Sequence, residues 1–218
     1  RSTLSSSSAA SDVYKRQQHG SEWQAFLGDD EAVLAFNSPA ELLCFVESDT
    51  KHDLLDHPQW DQFAGRDADR VTPAKRDEYD LIGMPEALAG RPSHQNVSTV
   101  ARNLEIASAL ADVAGAEHTT IFFASHSILR NVSRGADHYS GEQGMSEWSG
   151  VGHVIAGNWK AVIEDLDKHV RVVSSDDFDA AKVSDAKERI SSSAAASAAA
   201  AKEAEEKRKA AAEAADPY

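Results

Sequence analysis

A chain of 218 residues is enough for one domain of ordinary size, and its 36 Asp and Glu against 22 Lys and Arg leave a net charge of −14. Such a surface repels phosphate backbones and anionic bilayers, which argues against direct nucleic-acid binding and against a membrane-surface role. The single cysteine, Cys44, allows neither an internal disulfide nor a cysteine zinc cluster, and no apolar run approaches the length of a membrane span. A cytoplasmic location is the resulting expectation.

Residues 1–17 carry a serine and alanine run followed by Asp12-Val13-Tyr14-Lys15-Arg16-Gln17. This stretch resembles the translated read-through of a sequencing adapter and is expected to be an artefactual or disordered leader. It lacks the apolar stretch of a signal peptide. From Glu22, two short apolar runs, Trp23 to Leu27 and Ala32 to Phe36, flank Gly28-Asp29-Asp30, which predicts a β-hairpin. Ser38 is placed as an N-cap, with Pro39 in the first helical position and Glu41 three residues after the cap. The helix over 39–47 then completes a β-β-α unit and buries Leu42, Leu43, Phe45 and Val46.

Residues 49–95 hold most of the prolines, and short helices joined by loops are expected there. Val100, Leu104, Ala107, Leu110 and Val113 recur at helical spacing, predicting a helix over 97–114 that ends at Gly115. A further helix over about 120–133 is predicted from Ile121, Phe122, Ile128, Leu129 and Val132, capped by Thr119 or Thr120; a strand over 120–124 is the alternative, since β-branched and aromatic residues cluster there. Trp148, Val151, Ile155, Trp159, Val162, Leu166 and Val170 mark an amphipathic helix over 146–170, open to interruption at Gly150-Val151-Gly152 or Gly157. Residues 176–218 are read as a low-complexity tail, disordered or a solvated helix, with alanine, glutamate and lysine dominating beyond Ser191.

Several groups invite a chemical reading. His118, His126, His138 and His153 do not match compact metal-ligand spacings and are read as surface or capping histidines. The acid clusters Asp29-Asp30-Glu31 and Asp77-Glu78-Tyr79-Asp80 are assigned to solvated turns rather than to a divalent-ion or acid/base site. Ser125-His126-Ser127 lacks a nucleophile elbow. Cys44 lies among apolar neighbours with no cation to activate it. Gly141-Glu142-Gln143-Gly144 and Gly150-Val151-Gly152 lack the flanking motif of a phosphate loop. The sequence therefore assigns no catalytic, cofactor-binding or metal residue.

The runs Glu22 to Asp30 and Leu34 to Leu42, with His52-Asp53-Leu54-Leu55-Asp56-His57-Pro58, Tyr79 to Glu86 and Trp159 to Asp167, resemble a family of small acidic actinobacterial proteins often labelled "primosomal protein". The resemblance covers about Glu22 to Val173. Members usually begin with a further strand ahead of the tryptophan, where the adapter-like segment stands here. The label implies a link to replication restart, and the resemblance carries over no catalytic residue.

The resulting expectation is an α+β fold in which a small N-terminal antiparallel sheet packs on a helical C-terminal part, as a single domain over 18–175. Trp23, Phe26, Leu34, Phe36, Leu42, Phe45, Leu104, Leu110, Trp159 and Leu166 form the predicted core. With no catalytic constellation, the protein is expected to be a non-catalytic interaction or adaptor module whose partner is another protein with a basic surface. An accessory role in DNA replication or restart through a protein partner, and an enzyme using carboxylates or histidines in a cleft, are the alternatives.

Overall fold

The computed structural model describes residues 16–19, 22–29 and 31–215, with side chains from Phe26 to Lys209 except at positions 30 and 76. The leader expected over 1–17 lies outside the described residues as far as residue 15. The chain is mostly helical with few strands, an α+β arrangement in the broad sense. It forms two compact units: residues up to Ala35 with Lys51–Leu55 and Asp77–Arg171, and Phe36–Thr50 with Asp56–Arg76 and the residues from Val172 on. Among the described residues no helix is long and apolar enough to cross a membrane.

In the first unit β1 (Arg16–His19) pairs antiparallel with β2 (Glu22–Ala25). The hairpin predicted between residues 23–27 and 32–36 shrinks to a tight turn. Gly28 and Val33 form one antiparallel bridge, Leu34 N–H donates to the Leu27 carbonyl at 2.8 Å, and Asp29 Oδ1 accepts from Glu31 N and Ala32 N, both at 3.0 Å. Contrary to the antiparallel sheet expected there, β3 (Val33–Ala35) joins β4 (Val170–Val172) in a two-stranded parallel sheet. The cause lies far along the chain: Val33 N–H donates to the His169 carbonyl at 2.9 Å, and Arg171 pairs with Asp29 and Glu31 across the turn.

The helices of this unit are α3 (Met84–Ala89), α4 (His94–Ala114), α5 (Glu117–Ser125) and α6 (Gly141–Asp167). Ser93 caps α4 by accepting from Asn96 N at 3.1 Å, and Gly115 ends it at φ 70°, a left-handed position that glycine adopts without strain. The core is built from Val97, Val100, Leu104 and Ala107 of α4 against Trp148, Val151, Ile155, Trp159, Val162 and Leu166 of α6. Each of the larger side chains among them contributes about 1.5–3 kcal/mol on burial, before the entropy of ordering it is subtracted.

Two of the predicted helices differ in the structure. The one expected over 120–133 is broken at His126, whose φ −119° and ψ 76° are not helical, and Ser127–Arg134 continues as a 3-10 helix. Leu129 and Val132, three residues apart, both bury, which suits three residues per turn. The helix expected over 146–170 begins five residues earlier and runs without interruption through all its glycines.

Thr119 is not the cap predicted for α5. It lies inside the first turn, and its N–H and hydroxyl both donate to Asp165 Oδ2 at 3.0 Å, so a carboxylate on α6 serves the α5 N-terminus in trans. Burial pushes the Asp165 carboxyl up, but the two Thr119 donors, with the Lys168 and His118 charges, outweigh it and hold the group below its ordinary 3.8. A carboxyl lowered in the folded state stabilises above its unfolded value and loses that contribution as the pH falls through the folded one. Asp165→Ala is expected to cost about 1–3 kcal/mol at neutral pH, because both Thr119 donors stay buried and unpaired. Urea titrations of wild type and variant should show that gap narrowing below pH 3.8; an equal gap at both pH values would remove the capping account.

In the second unit α1 (Pro39–Val46) starts as predicted: Ser38 Oγ accepts from Glu41 N at 3.3 Å, and Glu41 Oε2 accepts from Asn37 N at 3.0 Å. Leu43 is fully buried, with Ala40, Val71 and Ala186 around it. Ala186 belongs to α7 (Ala180–Ala215), and Trp60–Ala64 forms the short helix α2. The early part of α7 therefore packs one face inward, while most of its residues are exposed. Val183, Ala186 and Ile190 pack inward, Arg189 grips Glu47 with two bonds of 2.7 and 2.8 Å, and Ser193 and Ser197 donate to Asp69. Beyond Ser193 the described side chains of α7 are exposed.

Of the predicted core, Leu34, Phe45, Leu104, Trp159 and Leu166 are buried; Phe26, Phe36, Leu42 and Leu110 are half-buried. Trp23 lies outside the described side chains.

Candidate functional site

The histidines considered as a cluster are spent separately. His126 Nδ1–H donates to the Phe122 carbonyl at 2.8 Å and His153 Nδ1–H to the Ser149 carbonyl at 2.7 Å. His138 Nε2 meets Glu147 Oε2 at 3.0 Å, and His118 lies exposed on α5. Among the described residues no three His, Cys, Asp or Glu come together where they could hold a metal ion.

Both acid clusters hold turns. Asp29 stands at the hairpin turn, where burial raises its carboxyl but the Ala32 and Glu31 N–H groups and Arg171 lower it further. Asp80 Oδ1 accepts from Gly83 N at 2.8 Å, while Arg102 stacks 5.1 Å from the Tyr79 ring and donates to the Glu78 carbonyl. Cys44 is half-buried on α1, and burial together with the Glu47 charge pushes its thiol up, so it stays protonated at neutral pH.

One network was not foreseen. Glu147 on α6 accepts from His138 and from Asn131 Nδ2 at 2.5 Å, fastening the segments 127–134 and 136–139 to the helix. These bonds hold the Glu147 carboxyl below its ordinary value. Tyr139, in the same place, is 1% exposed with its hydroxyl unpartnered among the described residues, and burial pushes its pKa up to about 12. Nothing in the sequence marks Asn131, His138 and Glu147 as neighbours.

Two open clefts lie in the first unit. One, of about 460 Å³, runs between α3 and α6, with walls from Pro85, Leu88, Ala89, Met145, Trp148, Gly152 and Ala156. Met145 keeps 42% of its surface in water there. The Trp148 indole N–H is already satisfied by the Gly90 carbonyl at 2.9 Å, so the ring offers the cleft an apolar face. The other, of about 490 Å³, lies where α4, α5 and the 127–134 segment meet, between Leu104, Phe123, Leu129 and Val132, with Glu105 and Arg130 also lining it. Volumes of this size take one or two bulky side chains.

The family model described as the SatS C-terminal domain matches residues 12–167, well over half of the chain. No curated protein and no solved structure matches it.

Proposed function

The chain belongs to the SatS C-terminal domain family, and we propose that it works as a non-catalytic protein-interaction module whose α3–α6 cleft receives an apolar side chain of a partner polypeptide. The observation that carries this reading is the cleft itself: a mainly apolar trough whose lining includes Gly152, the Trp148 ring and the exposed Met145. Methionine is unbranched and polarisable and adapts to varied apolar partners. The acidic surface elsewhere, within a net charge of −14, steers partners with basic surfaces toward the molecule.

The test is fluorescence anisotropy of the full chain with labelled twelve-residue peptides carrying Leu or Phe at their centre. Saturable binding is expected, and Gly152→Leu, which adds a side chain to the cleft lining, should weaken it roughly 10–100-fold, the equivalent of one lost apolar anchor. Absence of saturable binding, or binding indifferent to Gly152→Leu, would refute the proposal.

A further inference from the structure

Building on the proposed docking role, we infer that the α3–α6 cleft is selective for an apolar anchor flanked by an Asp or Glu of the partner. In a chain with so large an excess of acid, the charged or titratable residues lining this cleft are Arg91 and His153, and no Asp or Glu lines it. The α4–α5 cleft differs, since Glu105 accompanies Arg130 there.

Arg91 is held in place by its backbone. The Gly90 carbonyl before it accepts from the Trp148 indole, and its own carbonyl accepts from Ser93 N at 2.7 Å and Asn96 Nδ2 at 2.9 Å. Among the described residues no carboxylate pairs with its guanidinium. His153 is turned by the bond from Nδ1 to the Ser149 carbonyl, which leaves Nε2 as its remaining hydrogen-bonding atom. An exposed guanidinium on a backbone anchored beside an apolar trough can act as a bidentate receptor for a carboxylate that arrives with the anchor. The acidic surface opposes acidic partners at long range, but that field is screened within about 8 Å at physiological salt, so the choice of flanking residue is made locally by Arg91. A partner that is basic overall and acidic next to its anchor fits both fields, and the pairing fixes its register.

The experiment compares three peptides of one sequence, differing only in whether Glu, Gln or Lys flanks the central Leu. The Glu peptide is expected to bind roughly fivefold more tightly than the Gln peptide, the size of a partly exposed ion pair, and the Lys peptide more weakly than both. Arg91→Gln should abolish the preference for the Glu peptide over the Gln peptide. Equal affinities for the three peptides, or a ranking that survives Arg91→Gln, would overturn the inference and leave the docking role standing. If none of the three binds, the docking role fails, and the inference with it.

Discussion

Trp159→Ala is expected to cost the first unit about 3–5 kcal/mol, near the upper end for a single core truncation. The side chain is 3% exposed, belongs to the same buried cluster as Val100, Leu104 and Val162, and meets the Phe122 ring at a centroid distance of 6.4 Å. Its indole N–H donates to the Leu81 carbonyl at 2.7 Å, and the adjacent Asp80 carbonyl accepts from Asn103 at 2.8 Å. Truncation therefore opens a cavity and also removes one of the two long-range hydrogen bonds that hold this loop to α4 and α6. Trp159→Phe leaves a smaller cavity than alanine does, because it keeps a buried six-membered ring while losing the bond, itself worth about 1 kcal/mol. Denaturant titration followed by circular dichroism gives both numbers, and a cost below about 1.5 kcal/mol for Trp159→Ala would show that the ring is not the centre of this core.

Trp159 was legible because α6 repeats its apolar residues every three or four positions, and a helix of 27 residues offers that pattern many times. Ser38, Pro39 and Glu41 were legible for a related reason: a capping box is complete within four residues of chain. What could not be read depends on remote partners. β3 is three residues long, and its neighbour β4 lies more than a hundred residues away, so the sequence pointed to the nearer strand and to an antiparallel pairing. The break at His126 escaped because a 3-10 turn places residues 129 and 132 on one side much as an α-helix does. Asp165 serving Thr119, and Asn131 with His138 meeting on Glu147, are likewise products of packing. The clefts follow the same rule, since a concavity belongs to two or more elements and no single stretch encodes it.

The glycines of α6 show most sharply how context changes the meaning of one residue type. Read along the sequence Gly150, Gly152 and Gly157 looked like points of interruption, yet the helix runs through them and through Gly144 as well. A Cβ built at Gly144 would stand 2.4 Å from the Tyr139 carbonyl carbon and 2.6 Å from its Cα, which are backbone atoms with no rotamer to escape into. One turn later, on the same face, the Trp148 ring meets the Tyr139 ring edge-on at 5.0 Å. The 136–139 segment thus lies directly across the helix, and only glycine permits the approach. A Cβ at Gly152 would meet Leu88 at an ordinary 4.0 Å.

The same substitution should therefore act with opposite signs eight residues apart. Gly152→Ala is expected to stabilise by up to about 1 kcal/mol through helix propensity alone. Gly144→Ala gains the same propensity but must push the 136–139 backbone away and with it the His138 contact to Glu147, for a net loss of about 3 kcal/mol or more. Thermal denaturation of the two variants decides it. A stable Gly144→Ala would mean that the segment can lift from α6 at little cost, and the tight seat of Tyr139 would not be what fixes the N-terminal turns of that helix.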